Sequence, residues 1–356
     1  MIPYLVFFCV AGIPALFHPG RRNAVSWAMA WLAYVLFIGL RHEVGGDWNG
    51  YLIITERISH GHFLDAISDQ EFFFSLITWI SAKLGFGVYG ANLFGAMVFC
   101  TGLFSFCNRL QNRWLALAAA TPFLVIVAVM SANRQGMAIG VLLFVMARWR
   151  EWGLARRSIG IAIAGGFHNS ALLMLVLVAL DLRISRTMKL LLTIMIAALA
   201  TWLASRSESA WYRYTTVYVN ESYGAYSPGA IFHLLLNLVP AALMLASGKL
   251  RRHLVVDWGL LRPLCWMAIG LLFLSPFYTV AVGRMSLYLF PISISFVATL
   301  PNLVARPEAR SIARTLLVCC LGAVLALWLG YANTAFTYLP YGNALVVPGW
   351  KLDLPR

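Results

Sequence analysis

Long apolar runs separated by short polar segments repeat along the whole chain, for example at residues 2–17, 24–40, 91–107 and 285–304. Runs of this kind suit membrane helices, which need roughly 20 apolar residues to cross a bilayer. They lack the roughly ten-residue alternation of outer-membrane barrels, and a helix satisfies its own backbone hydrogen bonds in lipid. The pattern therefore predicts an all-α polytopic integral membrane protein with about 11–13 transmembrane or re-entrant helices.

The composition also indicates a membrane protein. Hydrophobic residues make up 61% of the 356 residues and charged residues only 11%, whereas soluble domains carry about 25% charged residues. No repeat, low-complexity tract or linker divides the chain, so we expect a single polytopic domain over residues 1–356. The six cysteines fall within apolar runs and show no metal-ligand spacing, which predicts core residues and no metal site.

The basic residues predict how the chain is oriented in the membrane. The net charge is +14, and the lysines and arginines form short clusters between apolar runs. Such clusters are typical of cytoplasmic loops and not of a nucleic-acid-binding face. The assignment leaves an acidic loop at residues 41–71 and an aromatic-rich loop at residues 205–228 on the extracytoplasmic side. The aromatic side chains suit either an interfacial belt or stacking against sugar rings.

Two apolar segments do not fit a simple series of crossings. Residues 158–182 lie between two basic clusters, so we expect a hairpin of two short helices broken at residues 165–170. Broken helices at membrane depth are tolerated only where they line protein or a watery cavity. Residues 72–87 must be re-entrant or interfacial if Arg109 and Arg113 are cytoplasmic, and a simple crossing would place both arginines outside.

The acidic loop concentrates carboxylates, because six of the 13 acidic residues lie between Glu43 and Glu71. Gly45 and Gly46 permit a tight turn, which would aim the carboxylate of Asp47 inward as a base or as an acceptor for sugar hydroxyls. Glu71 precedes an apolar run and would equally serve at a helix N-terminus. Ordinary solvated-loop behaviour is the alternative for these residues.

Three basic side chains lie in apolar surroundings. Arg134 and Arg284 each separate two apolar runs, and the planar guanidinium fork suits a phosphate or diphosphate. The alternatives are an arginine that snorkels to the surface and a plain turn residue. His168 interrupts an apolar run, where a neutral imidazole would accept a proton from a sugar hydroxyl. Most lone histidines in apolar segments are nevertheless structural.

These residues belong to a series of motifs that resembles the EpsG family of membrane polysaccharide polymerases, related in role to Wzy-type O-antigen polymerases. The series reads Arg41, Val44-Gly45-Gly46-Asp47, Tyr51, Glu71-Phe72-Phe73-Phe74, Asn133-Arg134-Gln135-Gly136, Phe167-His168-Asn169-Ser170, and Arg284 with Tyr288 one turn later. It covers residues 38–290, most of the chain. The family more often has Gly-Thr-Asp where this chain has Gly45-Gly46-Asp47, which leaves the aspartate in place.

The resemblance implies a polymerase on the periplasmic face of a bacterial inner membrane. Such an enzyme transfers a growing glycan from undecaprenyl diphosphate to a hydroxyl of the next lipid-linked repeat unit. Neither a metal nor a cofactor is implied. The implied partners are lipid-linked repeat units, membrane lipid, and chain-length or export proteins. A fold similar to the GT-C glycosyltransferases follows by analogy only.

The resemblance also implies a role for each candidate residue. The diphosphate would be bound by Arg134, Arg284 and Arg41. The base that activates the acceptor hydroxyl would be His168 or Asp47. Sugar hydroxyls would be bound by Glu71 and Tyr51.

Two other functions fit parts of the pattern. A flippase or exporter of lipid-linked sugars would explain the number of spans and the arginines. Transporters, however, often contain repeats with matched broken helices, and the break at residues 165–170 has no counterpart. A membrane acyltransferase would also use His168, but its donor tunnel usually opens to the cytoplasm. Polymerase is the favoured interpretation.

Overall fold

The computed structural model describes residues 1–17, 23–61, 64, 71–205 and 228–346. Nearly all of these residues are helical, and the two strands have two residues each, which confirms the predicted all-α class. The interior of the predicted aromatic-rich loop, residues 206–227, lies outside the described residues. Part of the predicted acidic loop, at residues 62–63 and 65–70, also lies outside them.

The helices follow one another with short connections. The first half of the chain contains α1 (Ile2–Phe17), α2 (Ala24–Gly39), α3 (Trp48–His60), α4 (Phe72–Lys83), α5 (Gly87–Cys107), α6 (Arg113–Ala120), a π-helix (Thr121–Val129) and α7 (Asn133–Ala147). The next part contains α8 (Leu154–Phe167), a 3-10 helix (Asn169–Met174), α9 (Leu175–Asp181), α10 (Arg186–Ser205), α11 (Pro228–Ala246) and α12 (Gly248–Arg252).

The remaining elements complete the bundle. The last helices are α13 (Trp258–Leu274), α14 (Thr279–Ser286), α15 (Phe290–Thr299) and α16 (Pro307–Tyr331), with 3-10 turns at Leu287–Leu289, Leu300–Leu303 and Ala335–Tyr338. The strands are β1 (Arg41–His42) and β2 (Gly342–Asn343), which pair antiparallel.

Four of the described helical stretches are long and apolar enough to cross a membrane. They are Gly87–Cys107, Gly229–Ala246, Thr279–Leu303 and Pro307–Tyr331. Seven shorter apolar helices accompany them. Large hydrophobic side chains such as Leu191, Phe273 and Leu316 are exposed on the outer helices, which is the surface expected of helices that face lipid chains.

The centre of the bundle is the continuous segment from α6 to α7, whose side chains are buried on nearly every face. A helix that is apolar all round belongs in the core of a large protein or in a membrane. Helix α7 packs closely against α5, where Gly102 and Gly140 face each other. A methyl group on Gly102 would lie 1.8 Å from the carbonyl oxygen of Gly140, so only glycine allows this approach.

The segment 158–182 is broken and folded back on itself. Helix α8 ends at Phe167, and His168 takes an extended conformation with φ −157° and ψ 114°. The 3-10 helix and α9 then return along α8. Arg157 near the start of α8 forms an ion pair with Asp181 at the end of α9, so both ends of the segment lie on the same side.

Helix α4 does not carry the chain across the bundle. Its 12 residues span about 18 Å at 1.5 Å per residue, well short of a hydrocarbon core about 30 Å thick. The amino group of Lys83 at its end donates to the carbonyl of Ser59, so the helix stays near α3. The following α5 is long enough to cross and delivers Arg109 to the face opposite Glu71.

The acidic segment 41–71 is not a loop throughout, because it contains the 13-residue helix α3. Tyr51, Thr55 and Ile58 are buried at spacings of one and two turns, which is the helical period of a one-sided amphipathic helix. We expected a loop because its carboxylates and glycines were given more weight than this short apolar period.

A late segment of the chain holds the start of the acidic segment in place. The carbonyl of Thr337 accepts a hydrogen bond from the backbone N–H of Gly45 at 2.9 Å. Tyr338 donates its hydroxyl to the carbonyl of Val127, and its own carbonyl accepts from the hydroxyl of Tyr4. The turn before Asp47 is thereby fixed against the core.

Candidate active site

The site is organised around Glu71, the residue immediately before α4. Its Oε2 accepts a hydrogen bond from Nη1 of Arg134 at 2.8 Å, and its Oε1 accepts one from Nδ1 of His168 at 2.9 Å. The side chain of Glu71 is only 9% exposed and that of Arg134 is 18% exposed. Three segments that are far apart in sequence therefore meet at a single carboxylate, which we call the Glu71 cluster (Glu71, Arg134, His168).

The positions of these residues on their helices explain why they need one another. Arg134 lies in the first turn of α7, where the positive end of the helix dipole disfavours a cation. The carboxylate of Glu71 compensates that charge, and it also stands at the favourable end of its own helix α4. His168 lies at the C-terminus of α8, within the break that exposes its ring to the other two residues.

The electrostatics of the cluster keep Glu71 ionised. Burial alone would raise the pKa of Glu71, but the charge of Arg134 and the hydrogen bond from His168 outweigh it and hold the pKa well below its usual range. An ionised carboxylate can only accept hydrogen bonds. Nδ1 of His168 therefore carries the proton, and Nε2 of the neutral ring has a lone pair that can accept one.

The hydrogen bond network of Glu71 has a consequence for acid stability. The lowered folded-state pKa means that the carboxylate stabilises the fold fully above its unfolded pKa of about 4.3, and this contribution is lost as the pH falls toward the folded-state pKa. We expect the difference in Tm between the wild type and Glu71→Gln to be largest near neutral pH and to shrink below about pH 4.

Thermal unfolding of the detergent-solubilised protein over a series of pH values measures this difference. Glu56→Gln is the matched control, since Glu56 is exposed on α3 and should show no such trend. A Tm difference for Glu71→Gln that stays constant down to about pH 3 would contradict the expectation.

Tyr51 and Phe74 form the floor beneath Arg134. The hydroxyl of Tyr51 accepts a hydrogen bond from the backbone N–H of Arg134 at 3.3 Å. Burial raises the pKa of Tyr51, which keeps it a neutral phenol. The guanidinium of Arg134 lies 5.6 Å from the centre of the Phe74 ring, within the range of a cation–π contact. Both aromatic residues thus fix the direction of Arg134.

Asp47 and Arg284 form a second, looser pair next to the cluster. Their side chains are 3.7 Å apart and partly exposed. Gly45, with φ at +105°, makes the turn that precedes Asp47, and a side chain there would collide with the carbonyl of Met130. The side-chain amide of Gln135 donates to the backbone carbonyl of Arg284 at 2.6 Å, so α14 is tied directly to α7.

Arg41 is not brought to this surface. It is 1% exposed, and its guanidinium donates to the carbonyl of Ile38 at 2.7 Å and to Oδ1 of Asn92 at 3.4 Å. Asn92 in turn accepts from the side chain of Asn133. The prediction that Arg41 binds a diphosphate does not fit this buried position. We assign it instead to positioning Asn133, the residue before Arg134.

A cavity of about 330 Å³ opens on the far side of Arg284. Its walls are largely apolar and include Val127, Ala230 and Phe336, whereas Arg284 and His233 supply its basic groups. The sequence analysis did not single out His233. The signal was nevertheless the same as for His168, a histidine within an apolar run.

The structure brings together six of the seven predicted site residues. These are Asp47, Tyr51, Glu71, Arg134, His168 and Arg284. Beyond them, it adds side chains that sequence analysis missed, namely Asn92, Asn133, Gln135 and His233. Within the described part of the chain, no group of three His, Cys, Asp or Glu residues is arranged to hold a metal ion.

Comparison with known proteins supports the assignment by motif. A family model described as the EpsG family matches residues 25–343 of the chain. The match includes every residue of the Glu71 cluster and the segment Ala335–Tyr338. No curated protein and no solved structure matches the chain.

Proposed function

The chain belongs to the EpsG family, a family associated with glycan polymerisation, and we propose that it joins lipid-linked repeat units into an exopolysaccharide. The observation that carries this proposal is the hydrogen-bonded series Arg134–Glu71–His168 beside a second arginine, Arg284. It combines a positioned imidazole base with two cations, which are the groups that glycosyl transfer from a lipid diphosphate requires.

The proposed reaction exchanges one bond at the anomeric carbon for another. The acceptor hydroxyl oxygen attacks the anomeric carbon of the sugar that is bonded to the diphosphate. The bond between that carbon and the phosphate oxygen breaks, and its electron pair leaves with undecaprenyl diphosphate. The hydroxyl proton passes to Nε2 of His168. Arg134 and Arg284 balance the negative charge of the departing diphosphate.

The geometry favours His168 over Asp47 as the base. Glu71 holds the imidazole through Nδ1, which fixes the ring and stabilises the imidazolium that forms when Nε2 takes a proton, as carboxylates do for catalytic histidines in general. Asp47 instead faces Arg284. We assign Asp47 to orienting Arg284 and to accepting hydrogen bonds from sugar hydroxyls, together with Tyr51.

The cavity beside Arg284 suits the lipid side of the substrate. Its apolar walls and its basic rim match an isoprenoid chain that ends in a diphosphate, because apolar surface gains by leaving water while phosphate pairs with arginine. We propose that the carbons nearest the diphosphate lie in this cavity. The glycan would then extend toward the Glu71 cluster.

The orientation of the site follows from charge. Along α7, Arg134 and Arg148 are separated by about 21 Å at 1.5 Å per residue, and the basic cluster Arg148–Arg150 stands at the far end. The positive-inside rule assigns that cluster to the cytoplasm. We propose that the Glu71 cluster faces the periplasm of an inner membrane.

The experiment that tests the function measures polymer length in cells that carry His168→Ala or Arg134→Ala in place of the wild type, at matched protein abundance. We expect long polymer to disappear and single lipid-linked units to accumulate on the outer face of the membrane. His253→Ala and Arg306→Ala are matched controls, because both residues lie outside the cluster.

Two other outcomes would change the proposal. Units that accumulate on the cytoplasmic face would indicate a flippase. Normal polymer from both variants would mean that the Glu71 cluster is structural.

A further inference from the structure

A second pocket lies at the end of the bundle opposite the Glu71 cluster. It has a volume of about 490 Å³ and is bounded by the ends of α5 and α7 and by the residues just before α13. Three arginines line it, Arg109, Arg148 and Arg150, together with Glu151 and Asp257. The pocket therefore carries one more positive charge than negative.

The carboxylates neutralise two of the three arginines. Glu151 pairs with Arg109 at 2.5 Å and Asp257 pairs with Arg150 at 3.3 Å. Both pairs are exposed, and exposed pairs contribute about 0–1 kcal/mol, so a stronger anion can displace them. Arg148 forms no ion pair with any residue in the described part of the chain.

Arg148 is held in a position where its charge is not compensated. Its guanidinium lies 3.6 Å from the centre of the Phe144 ring, which fixes it against α7 and turns its plane to the aromatic face. Burial lowers the pKa of Arg148, and the neighbouring charge of Arg109 lowers it further. A bound anion between Arg109 and Arg148 would remove this repulsion.

The chemistry of the other lining residues indicates what kind of anion fits. Met146, Val255 and Val256 place apolar surface beside the arginines. The positive-inside rule puts this end of α7 at the cytoplasmic surface of the membrane, where anionic lipid headgroups concentrate and basic pockets between helices bind them. A phosphate joined to an apolar body satisfies both parts of the lining.

We propose that the pocket formed by Arg109, Arg148 and Arg150 binds the phosphate of an anionic phospholipid headgroup in the cytoplasmic leaflet. The phosphate oxygens accept hydrogen bonds from the guanidinium groups of Arg148 and Arg109, and the glycerol and first acyl carbons lie against Met146 and Val256. This site is independent of the proposed polymerase chemistry, since it shares no residue with the Glu71 cluster.

The test compares thermal stabilisation of the purified full-length protein by two lipids, phosphatidylglycerol and phosphatidylcholine, added as mixed micelles. We expect phosphatidylglycerol to raise the Tm of the wild type and of Arg156→Gln, which removes an exposed charge from the same face. Arg148→Gln should weaken the apparent affinity for phosphatidylglycerol about tenfold or more, the loss expected for one charge-assisted hydrogen bond pair.

A second variant and a soluble ligand make the outcomes distinct. Arg109→Gln, at a partly exposed position, should weaken binding in the same way if Arg148→Gln does not fold. Inorganic phosphate that stabilises the wild type as well as phosphatidylglycerol does would overturn the lipid source and leave a soluble phosphate as ligand. Equal stabilisation of the wild type, Arg148→Gln and Arg109→Gln by phosphatidylglycerol would overturn the site itself.

Discussion

Glu71→Gln is expected to abolish long polymer while the protein still accumulates in the membrane. Glutamine has the same shape as glutamate, but it offers one carbonyl oxygen and an NH₂ group where the carboxylate offers two acceptors. One of the two donors, Nδ1 of His168 or Nη1 of Arg134, must therefore face another donor. The loss of an oriented base costs about 10²- to 10⁴-fold in rate.

Polymer length and the rate of polymer formation in membranes measure the effect. Glu71→Asp should also lose most activity, since a side chain shorter by one methylene cannot reach both partners at 2.8 Å and 2.9 Å. Glu56→Gln, the exposed control on α3, should make polymer of normal length. Normal polymer from Glu71→Gln would remove the carboxylate from the mechanism.

Gly102→Ala is expected to cause the largest loss of stability. The added methyl group would meet the carbonyl oxygen of Gly140 at 1.8 Å and its α-carbon at 2.9 Å. These are backbone atoms, so α5 and α7 can accommodate the methyl group only by moving apart. Overpacking of this kind costs typically 1–3 kcal/mol, and we expect a loss at or above the upper end of that range, about 3 kcal/mol.

Gly270→Ala provides a control of opposite sign. Gly270 lies within α13, and a methyl group there would have no neighbour within 4 Å. Alanine is the better helix former by about 1 kcal/mol, so this change should leave the Tm equal or slightly higher. Thermal unfolding in detergent measures both variants. Equal Tm values for Gly102→Ala and Gly270→Ala would show that the α5–α7 contact tolerates separation.

Much of the fold was accessible from sequence because it depends on local periods. Long apolar runs predicted membrane helices, and the small and polar residues from Gly165 to Ser170 predicted the break that the structure places at His168. Helix α3 was missed, because its burial pattern is carried by a few residues, such as Tyr51 and Ile58, within a segment that is otherwise polar.

The candidate site was accessible in membership but not in connectivity. The motifs named Glu71, Arg134 and His168, but nothing in their spacing indicates that a single carboxylate binds both basic side chains. That arrangement depends on where α4, α7 and α8 lie in space. The burial of Arg41 was inaccessible for the same reason, since its acceptor Asn92 is 51 residues away in sequence.

The hydrogen bond between Tyr4 and Tyr338 has a consequence for the order of events during biosynthesis. Its two residues are 334 positions apart, so at synthesis rates of about 5–20 residues per second α1 waits roughly 17–67 s for its partner. Throughout that time the hydroxyl of Tyr4 must find a temporary acceptor in the membrane. A nascent helix in this state is a natural client for membrane chaperones, and Tyr4→Phe would remove that need.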